Sequence, residues 1–292
     1  FEDFMDGDGV DGDGVGDDEG GRAIAIRVAI TVAGEDIHVD FSGTSQQVNG
    51  NINCPISVTA AAVYYVFRCL MPPQTPACAG SFAGIDISAP GSSLVNASYP
   101  AAVAAGNVET STRIVDVILG ALAQVIPDRI PAASHGSMNN LAMGAPGDAS
   151  HPAWDYYETI GGGMGASQAG DGLDGVQTHM TNTLNTPIES LEMMYPLRIR
   201  RYSLRTNSAG RGHNDGGEGV HREYQFLQDA RFTLLTERRL HAPWGLAGGS
   251  DARCGENLLN DEVLPGKVSL HVRAGDVLTI RTPGGGGYGK EA

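Results

Sequence analysis

The chain has 292 residues, is 41% hydrophobic and carries a formal net charge of −15. It is too apolar for a disordered chain and long enough to bury a real core. Nine of its 34 carboxylates fall within residues 1–20, where there is no base; the remaining body, at −6, lacks the clustered Lys and Arg that phosphate contacts need, which argues against a nucleic-acid partner.

Residues 6–20 (DGDGVDGDGVGDDEG) are of low complexity. A calcium loop of the EF-hand kind needs Asp or Asn at its fifth position, Gly at its sixth and an acid at its twelfth. Counted from Asp6, the fifth and sixth positions are Val10 and Asp11; counted from Asp11, the twelfth is Arg22. Residues 1–22 therefore read as an acidic Gly/Asp-rich loop or disordered segment. Residues 23–32 (AIAIRVAITV) and 36–41 (DIHVDF) read as two strands joined by a turn at Gly34. Residues 56–70, apolar and preceded by Pro55, read as a buried helix. Residues 72–100 are rich in Pro, Gly, Ser and Asn and read as loop with one short strand at 84–87.

Residues 108–126 give the clearest helix, with Ile114, Val115, Ile118, Leu119, Leu122 and Ile126 recurring on one face. Pro127 ends it, and Asn107, Thr110 or Ser111 could cap it. Residues 131–187 show little periodicity but many polar residues and glycines, and loops of that length inside a compact domain are usually functional. Strands follow at 196–204, 221–227, 231–236, 267–273 and 276–282. The fold class is then α+β: a mixed first half with two buried helices, and a β-rich second half with Gly-rich turns.

No apolar run reaches 18 residues, so no membrane partner is expected. Cys54, Cys69, Cys78 and Cys254 form no CxxC pair and read as reduced thiols, which favours a cytoplasmic location. The chain opens at Phe1 with neither signal peptide nor initiator Met, and a fragment or processed product is expected.

The chemistry-bearing motifs divide into decoys and candidates. Gly284-Gly-Gly-Gly-Tyr-Gly-Lys290 matches the first part of a P-loop, but Glu291 stands where Ser or Thr would hold magnesium, and a Gly-rich turn after the strand VLTIR fits better. There is no GxSxG, no HExxH and no pair of histidines at ligand spacing, so no metal site is assigned. His38, His221 and His271 lie on expected strands and read as structural. His135 lies in a polar loop after the strong helix, and His179 lies among Thr178, Thr181, Asn182, Thr183, Asn185 and Thr186. That second segment has poor helix and strand propensity and an excess of hydrogen-bonding groups. It is either a self-bonded loop or the holder of a polar ligand. Asn107, Glu109 and Thr110 form a third polar cluster, readable as an N-cap or as an anion- or carbonyl-binding helix start.

Taken together, the motifs resemble the hydantoinase B/oxoprolinase family, of the N-methylhydantoinase B type. They are Asp40-Phe-Ser-Gly-Thr-Ser45, Asn51-Ile-Asn-Cys-Pro55, Ala104-Ala-Gly-Asn-Val-Glu-Thr-Ser111, Pro131-Ala-Ala-Ser134, Met138-Asn-Asn140, Tyr157-Glu-Thr-Ile-Gly-Gly162, Thr178-His-Met-Thr-Asn-Thr183, Asn185-Thr-Pro187, Pro243-Trp-Gly-Leu246 and Thr282-Pro-Gly-Gly-Gly-Gly-Tyr-Gly289. They run in order across residues 23–292, which the resemblance identifies as the C-terminal part of the family's domain.

The resemblance implies a two-part machine. An ATPase of the hydantoinase A type takes up ATP with magnesium and phosphorylates the oxygen of a small cyclic amide (5-oxoproline, a hydantoin or a lactam), and the B part directs water onto the activated species. It also implies a divalent metal held by the family's N-terminal half, which is absent here. Glu109, His179 and Asn182 would be catalytic, with Asn107, Thr110, Thr181 and Thr183 binding substrate. Two other readings stand beside it: a non-catalytic module that docks the hydantoinase A-type ATPase, and a component of an acetone-type ketone carboxylase. Three departures from the family pattern are the long acidic insert at 6–20, Lys290 in place of an acid, and the stretch Gly210-Arg-Gly-His-Asn-Asp-Gly-Gly217.

Overall fold

A computed structural model describes residues 1–7, 24–147 and 152–291. The chain divides into two compact units, residues 1–131 and 132–292.

In the first unit, strand β1 (Glu2–Met5) pairs antiparallel with β2 (Ile24–Arg27). The expected acidic loop over 1–22 is thus shorter at its start, because Glu-Asp-Phe-Met alternates and sends Asp3 and Met5 inward. The rest of the acidic run, from residue 8 to residue 23, and with it the calcium-loop reading, lies outside the described residues. The single strand expected over 23–32 is two. It breaks at Val28, and the second piece, β3 (Ala29–Ala33), changes partner to form a hairpin with β4 (Asp36–Asp40). Gly34 makes the turn at φ +66, as expected, and β5 (Ile85–Ser88) adds in parallel to β4.

Helix α1 (Ile56–Leu70) starts after Pro55 and buries Thr59, Ala62, Val63, Val66 and Phe67 at three- and four-residue steps. It stops where Met71 turns extended before Pro72. Helix α2 (Ser111–Ala123) packs on α1 and is buried almost all round, as befits a helix at the centre of its unit.

The second unit is a sandwich of two antiparallel sheets. Strands β6 (Asn140–Ala145), β7 (Trp154–Thr159), β10 (Ala230–Leu235) and β13 (Lys267–Val272) form one sheet in the order β13-β10-β6-β7. Strands β8 (Leu197–Arg205), β9 (Gly219–Phe226), β11 (Glu256–Leu259), β12 (Glu262–Leu264) and β14 (Val277–Arg281) form the other in the order β12-β11-β14-β9-β8. Period-two alternation sends Leu141 and Met143, Trp154 and Tyr156, Phe232 and Leu234 inward from the first sheet. From the second it sends Val220, Tyr224 and Phe226, Leu278 and Ile280, and the two sets share one core. Tyr195, at the end of helix α3 (Ile188–Met194), closes over Tyr156 at a ring-centroid distance of 4.8 Å.

The glycines are not mainly turns. Residues 283–287 belong to no helix or strand and are buried beside Ala133 and beside glycine-rich segments near residues 164, 210 and 217. The Gly285 N–H donates to Gly217 O and its carbonyl accepts from Gly210, both at 2.9 Å; Gly286 donates to Ala133 O and accepts from Ala166. A Cβ on Gly285 would sit 2.0 Å from Met164 O, and one on Gly216 would sit 1.9 Å from Gly285 O. Backbones this close admit no side chain, so the tail read as a turn is instead the core of a backbone bundle.

Candidate functional site

The seven residues expected to act divide between the two units. In the first, Gly106–Thr110 forms one wide π-type turn that runs straight into α2. Thr110 is already helical, and no side chain caps the helix, so the capping expectation is corrected. The Thr110 hydroxyl instead donates to Ile52 O, and Ser111 donates to Asn107 O. Gly106, at the start of the turn, lies hard against Asn53, where a Cβ would meet Asn53 O at 2.2 Å. Glu109 and Thr110 are fully buried and Asn107 is exposed. Behind them, buried Arg113 pairs with Asp3 at 3.3 Å, so the interior of this unit is charged.

In the second unit, residues 176–185 form a loop fixed at both ends. Gly162 and Val176 exchange backbone hydrogen bonds at 3.0 and 2.8 Å. The Thr181 hydroxyl donates to Thr178 O at 2.8 Å and accepts from the Thr178 N–H at 3.1 Å, closing a turn that leaves His179 left-handed at φ +55. Thr181 is buried, while Asn182 and Thr183 stand exposed at the tip beside Leu184, which is 95% exposed. The segment is therefore self-bonded at its base and presents unbonded polar side chains at its tip.

His135 is buried, and neither ring nitrogen has a hydrogen-bond partner of normal geometry. Burial, with His179 and Arg239 nearby opposing a positive charge, lowers its pKa to about 3. It is a neutral imidazole at physiological pH, with one donor and one acceptor nitrogen. The buried Gln177 Oε1 also lacks a partner. Unpartnered polar groups of this kind concentrate where function or ordered water supplies the missing bond.

Sequence reasoning missed a buried polar network on the core face of β7. Trp154, Tyr156 and Glu158 alternate inward, so Glu158 enters the sandwich. The Arg222 Nε and Nη2 reach its two oxygens at 3.0 and 3.2 Å, Tyr156 donates to it at 2.8 Å, and Tyr224 donates to it as well. The available signal was a charged residue on an apolar alternation, at Arg222 among Val220, Tyr224 and Phe226. Nearby, Lys267 meets buried Glu237 at 2.5 Å, and Arg239 donates to Asn139 and Asn257, both at 2.9 Å.

In the first unit, His38 Nδ1 lies 2.7 Å from Asp86, and its Nε2 lies 3.3 Å from the Ser88 hydroxyl, the order of a serine–histidine–aspartate relay. The Ser88 proton, however, goes to Asp40 at 2.8 Å, so His38 is not placed to remove it. All four cysteines are free thiols. Among the described residues, no group of three or more His, Cys, Asp or Glu side chains could hold a metal ion, and no helix is long and apolar enough to cross a membrane.

An antiparallel sandwich laced with glycine backbones, with a polar, doubly anchored loop at its edge, is matched by the hydantoinase B/oxoprolinase family model over residues 1–291, and the chain belongs to that family. It is 42% identical over 274 residues to 5-oxoprolinase 1 of Arabidopsis thaliana, covering 92% of this chain and 21% of that protein. It is 35% identical over 302 residues to the B-type component of a D-/L-hydantoinase from a Pseudomonas species, covering 99% of this chain and 50% of that one. The crystal structure of the ATP-dependent caprolactamase from Pseudomonas jessenii superposes with a TM-score of 0.78 at 26% identity, over 90% of this chain and 48% of that chain. A nucleotide-free acetone carboxylase shares the fold at a TM-score of 0.79 and 15% identity, over 99% of this chain and 45% of that one. The chain thus spans about half the length of the hydantoinase, caprolactamase and carboxylase chains and about a fifth of the oxoprolinase.

Proposed function

We propose that this chain is part of the B portion of an ATP-dependent cyclic-amide hydrolase. The observation that carries the reading is that nine-tenths of the chain aligns both with a 5-oxoprolinase in sequence and with an ATP-dependent caprolactamase in fold. Both names denote enzymes acting on lactams. A lactam is a poor electrophile because its nitrogen lone pair is delocalised into the carbonyl. Phosphorylating the oxygen creates a leaving group, after which a positioned water can attack the ring carbon.

ATP and magnesium belong, in this reading, to a partner protein or domain of the hydantoinase A type. A divalent metal would belong, in the same reading, to the family's N-terminal half. Each unit supplies its own polar group. Glu109 provides a carboxylate able to accept a proton, with Asn107 and Thr110 beside it in sequence. His179 provides an imidazole. Asn182 and Thr183, exposed beside it, can donate to a developing oxyanion, while Thr181 shapes the turn.

The test is reconstitution of the chain with its N-terminal half and an A-type ATPase. ADP release is followed with 5-oxoproline, a hydantoin or caprolactam, with and without bicarbonate. We expect bicarbonate-independent, lactam-dependent ADP release that Glu109→Gln and Asn182→Ala each reduce by about 10²-fold. Full activity in both variants would remove the proposed residues. Strict dependence on bicarbonate and a ketone would move the protein to the carboxylase reading. ATP hydrolysis that needs this chain but no residue of these clusters would make it a docking module, a reading favoured by the exposure of Leu184, Met193 and Met194.

A further inference from the structure

The loop that carries His179 and Asn182 has almost no apolar anchor of its own. At its C-terminal end it is held by the side chain of Asn185. The Asn185 Nδ2 donates to Thr159 O at 2.8 Å and to the Glu158 carboxylate at 3.0 Å, while its Oδ1 accepts from the Tyr202 hydroxyl at 3.2 Å. Three elements, β7, β8 and the loop, therefore meet at one carboxamide. At the other end of the loop, Gln177 Nε2 reaches the Thr159 hydroxyl at 3.4 Å. Both ends are thus tied to Thr159, and the Asn185 end to Glu158 as well.

Glu158 is an unusual anchor. A buried ion pair such as Glu158–Arg222 is weak evidence for stability, since well-packed apolar residues often do as well in its place. It does fix direction. Arg222, Tyr156 and Tyr224 converge on the carboxylate from the core, and Arg222 is stacked 4.3 Å from the Tyr202 ring. The Glu158 Oε2 is left with a defined orientation toward the loop, and Asn185 reads it. Both Glu158 oxygens are multiply hydrogen-bonded, although Arg222 Nη1 lacks a partner, so it is the carboxylate whose direction is fixed.

We propose that Glu158 and Asn185 are positioning residues: the buried carboxylate, acting through the Asn185 carboxamide, holds the 178–183 loop at the place from which His179 and Asn182 reach substrate. This rests on the reading of that loop as part of a cyclic-amide site, but the mechanical half of the claim can be tested without it. Removing Glu158 would strand Arg222 as an unpaired buried charge and risks unfolding the unit. The decisive variant is therefore Asn185→Leu, which keeps the γ-branched shape without the hydrogen-bonding groups and removes neither Glu158 nor Arg222.

The first measurement is amide hydrogen exchange on the purified chain, comparing peptides over 178–185 and 219–226. We expect exchange over 178–185 to accelerate at least tenfold in Asn185→Leu while 219–226 is unchanged. Equal loop exchange in both proteins overturns the proposal, as does acceleration of both peptides, which would mean general loosening. The second measurement uses the reconstituted complex with ATP and its lactam. Asn185→Leu should lower kcat at least tenfold with KM for ATP unchanged. A loosened loop with wild-type kcat in an active complex also overturns it. If the wild-type complex turns over no cyclic amide, the functional reading fails, and the exchange result still decides the positioning.

Discussion

At the scale of single residues, His135 makes a prediction with a definite sign. Its folded pKa of about 3 lies below that of an unfolded histidine. Above the unfolded pKa, near 6.5, neither state is protonated there and the residue has no linkage effect. As pH falls from about 6.5 toward 3, the unfolded chain takes up a proton that the folded chain refuses, and stability is lost. Between pH 7 and pH 5 this amounts to about 2 kcal/mol. Urea unfolding at both pH values should show that loss in the wild type and a correspondingly smaller loss in His135→Gln; equal losses would mean that His135 keeps its proton. The sequence set His135 and His179 apart from the other histidines by their polar surroundings. It placed Glu158 and Asn185 within family motifs but could not show that they meet, because that contact joins residues 27 positions apart and leaves no mark in local composition.

At the scale of elements, the edge strand β8 illustrates a different control. Among the described residues it has a neighbour on one side only, β9, which leaves backbone donors and acceptors open to any other chain. Arg198, Arg200 and Arg201 stand exposed along it, and a bulge falls between Ile199 and Arg201. Charge and bulge both discourage edge-to-edge pairing. Replacing Arg198, Arg200 and Arg201 with Thr should leave the protein's circular dichroism unchanged yet raise light scattering on standing. A variant as soluble as the wild type would show that the arginines do not protect the edge.

The elements legible in the sequence were those with strong periodicity or clean punctuation: α1 after Pro55, α2, the β3–β4 hairpin at Gly34, and β8, β9, β10, β13 and β14, all within a few residues. The β6–β7 pair lay hidden in a stretch read as loop because Ala142, Gly144 and Ala145 dilute the alternation of β6. The β11–β12 hairpin escaped because its turn is Asn260-Asp261, both left-handed at φ +51 and +67, without the glycine that usually marks such a turn. Strand β1 could not be read because its partner follows the whole acidic run.

At the scale of the molecule, the second unit has two cores of different kinds. One is the apolar interior of the sandwich. The other is the glycine bundle, held by main-chain hydrogen bonds between segments 68 to 153 residues apart. Gly285→Ala should therefore cost at least about 3 kcal/mol, since the new methyl overlaps the carbonyl of Met164. Gly91→Ala, with open space around it, should stay within about 0.5 kcal/mol of the wild type. Chemical denaturation of the two variants side by side checks this, and similar costs would refute the close packing of the bundle.

The order of those segments along the chain has a consequence for synthesis. Ala133 and Ala166 are made before Gly210 and Gly217, and these before Gly285 and Gly286, yet the last pair bonds to all the others. A ribosome can release a finished first unit while the second still lacks the segment that seals it. Until residue 287 has left the exit tunnel, the glycine backbones of the second unit remain open to solvent and to chaperones, and its closure waits for that segment.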